Sequence, residues 1–151
     1  MDGFTVLEDD TIPPTATLIS PELGIYMSCP ESSIVILVED ENGIEPDSIL
    51  LMVNGTEYTL ADPELSLQDD SLLIFTPSVV FPDSSRVDVV LSGLADTLGN
   101  NASPSEPALE FYYRIDTSPP IPLLIAPPPN GTTRELSPVI SIEFTDWGSH
   151  V

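Results

Sequence analysis

The sequence predicts an all-β protein built as a sandwich, on three observations. Short runs rich in valine, isoleucine, leucine and threonine dominate the chain, and few windows carry a helical period. Seventeen prolines in 151 residues gather in "PPTATLISP" and "SPPIPLLIAPPP", as suits strand edges and linkers but not helices. Turn sequences such as "NG" and "FPDSS" divide the apolar runs at short intervals. A composition that is 41% hydrophobic supports a packed core, and the length suits one full domain but hardly two.

Seven strands are expected in order. The first is 15–20, "TATLIS", closed by Pro21, and the second is 33–39, "SIVILVE". A third at 48–53 meets Asn54-Gly55, a pair suited to a type I′ hairpin, and returns as a fourth at 57–60. After "ADPELSLQDD" comes a fifth at 71–76, closed by Pro77. The sixth, 86–92, points Val87, Val89 and Leu91 one way and Asp88 the other, the alternation of a half-buried strand. The seventh, 108–115, turns Leu109, Phe111, Tyr113 and Ile115 inward. Seven short strands without a helix describe an immunoglobulin-like or fibronectin-III-like sandwich.

The chain also repeats itself. "DTIPP" and "DTSPP" begin at Asp10 and Asp116, an offset of 116 − 10 = 106. At that offset ten residues are identical without a gap: Asp10, Thr11, Pro13, Pro14, Leu18, Ile19, Pro21, Ile34, Ile36 and Asp40. Ile34, Ile36 and Val38 correspond to Ile140, Ile142 and Phe144, so the inward face of a strand recurs as well. A period near one hundred residues is that of a whole sandwich domain. Residues 11–115 are therefore expected to form one complete unit. Residues 116–151 are expected to be the first strands of a second, incomplete repeat, and 1–10 the end of a preceding repeat or a linker. A two-strand stub cannot bury both its faces, so the tail is expected to be poorly ordered or a borrowed hairpin.

Four segments in fixed order, "DTIPP", "VEDENGI", "LLIFTP" and "LADTLGN", resemble the Ig-like repeats of large bacterial secreted and surface proteins. The resemblance covers residues 10–117 and part of the tail. It implies stalks, adhesins and spacers outside the cell, some stiffened by calcium between domains.

Charge sharpens the question. Three basic residues against 25 acidic ones give a formal net charge of −22. Such a field disfavours nucleic acid and anionic lipid surfaces and attracts multivalent cations. If the strands alternate in direction, the leading segment and the loops after strands two, four and six share one end. That end would gather Asp9 and Asp10, Glu39 to Asn42, Asp62, Glu64, Asp69, Asp70, Asp96, Asn100 and Asn101. The expected ligands for Ca²⁺ are Asp10, Asp40, Asp96 and Asn100, because calcium takes six to eight oxygens from carboxylates, amides and carbonyls. Asp116 and Asp146 occupy the equivalent positions of the next repeat. The competing reading is that these Asp and Asn residues cap turns by bonding their own backbone. No EF-hand spacing is present.

Nothing else in the chain reads as catalytic. His150 is the single histidine, Cys29 the single cysteine, and Trp147 the single tryptophan. No serine has a nucleophile-elbow context and no phosphate loop occurs. Asn54, Asn101 and Asn130 begin glycosylation sequons, two of them "NGT". No signal peptide or transmembrane run is visible, so export would need a signal outside this sequence. The sequence thus suggests a non-enzymatic spacer or adhesive repeat, extracellular or on a cell surface. Its expected partners are neighbouring Ig-like repeats, with a surface protein or glycan as a further ligand and neither nucleic acid nor membrane insertion. The alternative is an accessory carbohydrate- or ligand-binding module of a secreted enzyme, which an exposed aromatic platform drawn from Tyr26, Tyr58, Tyr112 and Tyr113 would favour.

Overall fold

The structure, a computed structural model, describes residues 10–146. The strands in chain order are β1 (Thr15–Ser20), β2 (Tyr26–Met27), β3 (Ile34–Glu39), β4 (Leu50–Val53), β5 (Thr56–Tyr58), β6 (Leu65–Gln68), β7 (Leu72–Phe75), β8 (Arg86–Gly93), β9 (Leu109–Ile115), β10 (Ile121–Ala126) and β11 (Ser141–Thr145). A 3₁₀ turn, Pro46–Ser48, precedes β4 and takes the place of the predicted start of the third strand. Its Pro46 fixes φ for a turn and donates no hydrogen bond to a ladder.

One sheet runs β1-β3-β7-β6 and the second β2-β9-β8-β4-β5. This is the strand arrangement of an immunoglobulin-like sandwich, a four-stranded sheet facing one centred on its last two strands. The inner faces follow the period of two. Ile34, Ile36 and Val38 from β3 meet Val87, Val89 and Leu91 from β8, and Phe111, Tyr113 and Ile115 from β9, all buried. Tyr58 and Phe75 pack edge-to-face at 4.7 Å between ring centroids, joining the two layers. Asn54 and Gly55 both have positive φ, +50° and +79°, which is the type I′ geometry that the Asn-Gly pair favours. The Asn54 side-chain oxygen also accepts from the Asp88 amide at 2.9 Å, tying that turn to β8.

Two strands were not foreseen, so the unit has nine, not seven. β2 is two residues long and pairs parallel with β9, Tyr26 with Arg114 and Met27 with Ile115. β6 lies inside the acidic stretch that reads as one loop. It begins beside Phe75, and Phe75 sits against Ile34 at the start of β3. The Thr76 amide donates to the Glu64 carbonyl at 2.8 Å. Asp62 and Glu64 therefore lie at the far end of this sheet from Asp40, against expectation. Asp69 and Asp70 do turn at the Asp40 end, where the Val38 amide donates to the Ser71 carbonyl at 2.8 Å. The physical reason is that β5 and β6 run in the same direction, so the chain between them must travel back along the domain.

β10 and β11 form a separate antiparallel pair. Their register, Ile121 to Thr145 and Leu124 to Ile142 with an irregularity before Ala126, is that of β1 and β3 moved by 106. There Thr15 faces Glu39 and Leu18 faces Ile36, with the irregularity before Ser20.

Candidate metal centre

The centre is built by two loops that are hydrogen-bonded to each other. Residues 40–45 follow β3 and residues 94–101 follow β8. Ile44 and Asp96 form an antiparallel bridge. On either side of it, the Glu45 amide donates to the Ala95 carbonyl at 2.9 Å and the Thr97 amide to the Gly43 carbonyl at 3.1 Å. The Thr97 hydroxyl adds a bond to the Asn42 carbonyl at 2.9 Å. Below, Ile44 and Leu94 are buried in the core and anchor both loops. Gly99, at φ +92°, supplies the left-handed turn that a residue with a β-carbon adopts only under strain.

This framework brings three of the expected residues together. Asp10, Asp40 and Asp96 each offer a carboxylate oxygen, and these oxygens lie within 4.8 Å of one another. Asn100 joins them: its amide nitrogen donates to Asp96 Oδ2 at 2.6 Å and to the Asp10 carbonyl at 3.0 Å. Asn42, which is not among the expected ligands, donates to Asp10 Oδ2 at 2.5 Å. Asp10 is thus held to both loops, although it precedes the first strand.

Each carboxylate also organises its own loop. Asp96 Oδ1 accepts from the amides of Leu98 and Asn100 at 2.9 and 2.8 Å. Asp40 Oδ1 accepts from the Asn42 amide at 2.8 Å, and Asp10 Oδ1 from the Ile12 amide at 3.0 Å. The turn-capping chemistry weighed from the sequence is therefore present. Even so, one oxygen of each carboxylate lies within 4.8 Å of those of the other two. Asp96 is only 1% exposed. Burial pushes its pKa up, but the hydrogen bonds from the Asn100 side chain and amide and from the Leu98 and Gly99 amides outweigh it, so the carboxyl sits below its ordinary value.

The donor set suits a hard cation that accepts irregular geometry. Three carboxylates, two side-chain amides and nearby carbonyls are oxygen donors of the kinds calcium takes. The two amide nitrogens that donate to Asp10 and Asp96 belong to the Asn42 and Asn100 side chains, each of which also carries an oxygen donor. Among the described residues no sulfur or imidazole joins the group; Cys29 is an exposed free thiol, and His150 and Trp147 lie outside the described residues.

Asp116 and Asp146 are placed by the second strand pair. The Ser118 amide donates to Asp116 Oδ1 at 3.2 Å, the same turn that Ile12 makes on Asp10. Among the described residues no group of three acids gathers around Asp116 and Asp146. The expected segment 1–10, apart from Asp10, lies outside the described residues.

The sequence missed a second polar centre at the opposite pole. Asp83, between β7 and β8, accepts from the Thr117 amide at 2.6 Å, the Thr117 hydroxyl at 3.0 Å and the Ser118 hydroxyl at 2.9 Å. The Thr117 amide first, then the Ser118 and Thr117 hydroxyls, hold its pKa down at about 2. Asp83 therefore fastens the "DTSPP" linker to the end of the sandwich. A Thr-Ser pair after the last strand is the only sequence cue, and it is a weak one.

No family model and no curated protein matches the chain. Among solved structures, dimeric latent PorU from Porphyromonas gingivalis superposes on 80% of this chain with a TM-score of 0.50 and 18% identity. The match spans 12% of that protein. The S-layer protein rSbsC matches with a TM-score of 0.38, 16% identity, and coverage of 74% of this chain and 15% of its own. The N-terminal Ig1-2 module of the Drosophila receptor protein tyrosine phosphatase DLAR gives 0.38, 14% identity, and 76% and 56% coverage. The sheet order defines the class, an Ig-like β-sandwich. The chain corresponds to a small part of the first two proteins.

Proposed function

We propose that residues 11–115 are a complete Ig-like repeat, that 116–151 opens a second, and that the protein is a non-enzymatic spacer or adhesive stalk segment of a large extracellular or surface protein. Calcium stiffens the joints between its repeats. The observation that carries this reading is the recurrence, at an offset of 106, of both the strand register and the aspartate turn that precedes it. A module whose leading turn and first pair of strands are copied intact is one built to be joined end to end.

The joint has two parts in this reading. Asp83 orients the outgoing linker through hydrogen bonds alone, and the prolines behind it limit its conformations. At the other end, Asp10 belongs to the incoming linker while Asp40 and Asp96 belong to the body of the domain. A cation shared by the three ties linker to domain. Asp116 and Asp146 begin the same arrangement one repeat later.

Isothermal titration of calcium into chelator-stripped protein tests it. One saturable site is expected for the unmodified chain, with affinity falling by about tenfold or more in Asp96→Asn, since a carboxylate ligand is lost. Absence of a calcium heat, or an unchanged isotherm in Asp96→Asn, overturns the cation joint.

A further inference from the structure

The chain contains three basic residues and no lysine, and two of the three meet on one surface. Arg86 on β8 and Arg114 on β9 are direct partners in the antiparallel ladder, both exposed on the outer face of the five-stranded sheet. Like charges directly opposite one another are unfavourable in a sheet. With so many carboxylates available, the expected arrangement would place an acid at one of the two positions. Arg86 is held by Asp88, at 2.7 Å from Nε and 2.6 Å from the terminal nitrogen, and its guanidinium lies 3.9 Å from the centre of the Tyr112 ring. That is the only ion pair among the described residues, so Arg114 has none.

Aromatic and hydrogen-bonding groups surround the two arginines. Tyr112 is 41% exposed and Tyr26 is 42% exposed. Tyr26 is the ladder partner of Arg114, so the two tyrosines bracket Arg114 on its own face. Beside them runs a groove of about 490 Å³ lined by Leu23, Arg86, Asp88, Val90, Glu110 and Tyr112. Its walls offer apolar surface, the Arg86 guanidinium and two carboxylate acceptors, and Arg114 stands next to it as the ladder partner of Arg86.

We propose that this face binds a saccharide carrying an isolated carboxylate, of the uronic acid type. The sugar carboxylate takes the unpaired Arg114 guanidinium in a two-pronged hydrogen-bonded pair. Ring hydroxyls, each both donor and acceptor, are met by Asp88, Glu110 and the remaining Arg86 nitrogens, and the tyrosines cover the apolar ring face. A ligand of dense negative charge, such as an acidic peptide, is disfavoured by the molecule's overall field and by Asp88 and Glu110. A neutral sugar leaves Arg114 unused. This surface is separate from the cation centre, and the proposal stands whether or not calcium binds there.

The test is titration of glucuronosyl-xylose, a disaccharide with a single carboxylate, into isotopically labelled protein at low salt with chelator present, followed by amide chemical shifts. The expected result is saturable binding with shifts on β8 and β9. It weakens by about tenfold in Arg114→Gln and by a similar factor with the methyl ester of the same disaccharide, because each removes the charged pair. Retained binding in Asp96→Asn is also expected. Equal binding of the methyl ester, unchanged binding in Arg114→Gln, or no shifts at all overturns the proposal. Binding of a glutamate oligomer with comparable affinity would identify an acidic-peptide surface instead. Binding only when calcium replaces the chelator would assign the ligand to the acidic pole; either result also overturns it.

Discussion

The β1–β3 pair and the β10–β11 pair share a register and a sequence pattern, yet one is inside the protein and the other is not. Ile36 and Val38 are 1% and 0% exposed, whereas their counterparts Ile142 and Phe144 are 49% and 52% exposed. The ladders differ little, so local sequence is enough to specify strand, register and the irregularity near the end of the first strand. Burial comes from elsewhere: β7 and β6 extend the first pair into a sheet, and the second sheet closes over it. The contrast teaches that binary pattern writes a strand's inner face, and partners distant in sequence make that face a core.

The largest expected effect tests that contrast directly. Ile36→Ala should destabilise the protein by about 2–5 kcal/mol in denaturant unfolding, the range for emptying a packed core position. Ile142→Ala, the same change at the equivalent exposed position, should fall within about 0.5 kcal/mol. Comparable losses in the two variants would mean that the second pair is packed as tightly as the first.

A smaller effect separates the two ends of the repeat. Asp83 has its pKa lowered from 3.8 to about 2 by bonds to the linker. A lowered carboxylate contributes its stabilisation above its unfolded value and loses it as the pH falls through the folded one. The Thr117 amide should therefore stay protected from hydrogen exchange down to about pH 4 and lose protection toward pH 2. In Asp83→Ala it should be unprotected throughout, with global unfolding little changed. Protection that persists in Asp83→Ala would show that the linker is held by something else.

Much of this was legible in the sequence, for identifiable reasons. Val87, Asp88 and Val89 announce an alternating strand, Asn54-Gly55 announces its turn, and the offset repeat points to Asp10 and Asp40 as a pair. Asp96 followed from assigning its loop to the same pole. β2 was not legible because two residues carry no period, and its pairing with β9 depends on residues nearly ninety positions away, as 114 − 26 = 88 shows. In β6 the alternation of Leu65 and Leu67 was present but obscured by the acids around it, which misassigned Asp62 and Glu64. Asn42 was placed at that pole but left out of the ligand set, because its amide reaches Asp10 only once the loops after β3 and β8 are bridged. The Arg86–Arg114 pair required a register that composition does not encode.

The central claim is that Asp10, Asp40 and Asp96 converge in order to share a cation. Thermal unfolding followed with chelator and then with excess calcium measures it most directly. At a calcium concentration about 100-fold above Kd the midpoint should rise by roughly 10 °C, and the rise should vanish in Asp96→Asn. Superimposable melting curves with and without calcium would contradict the claim and leave the three carboxylates as turn caps.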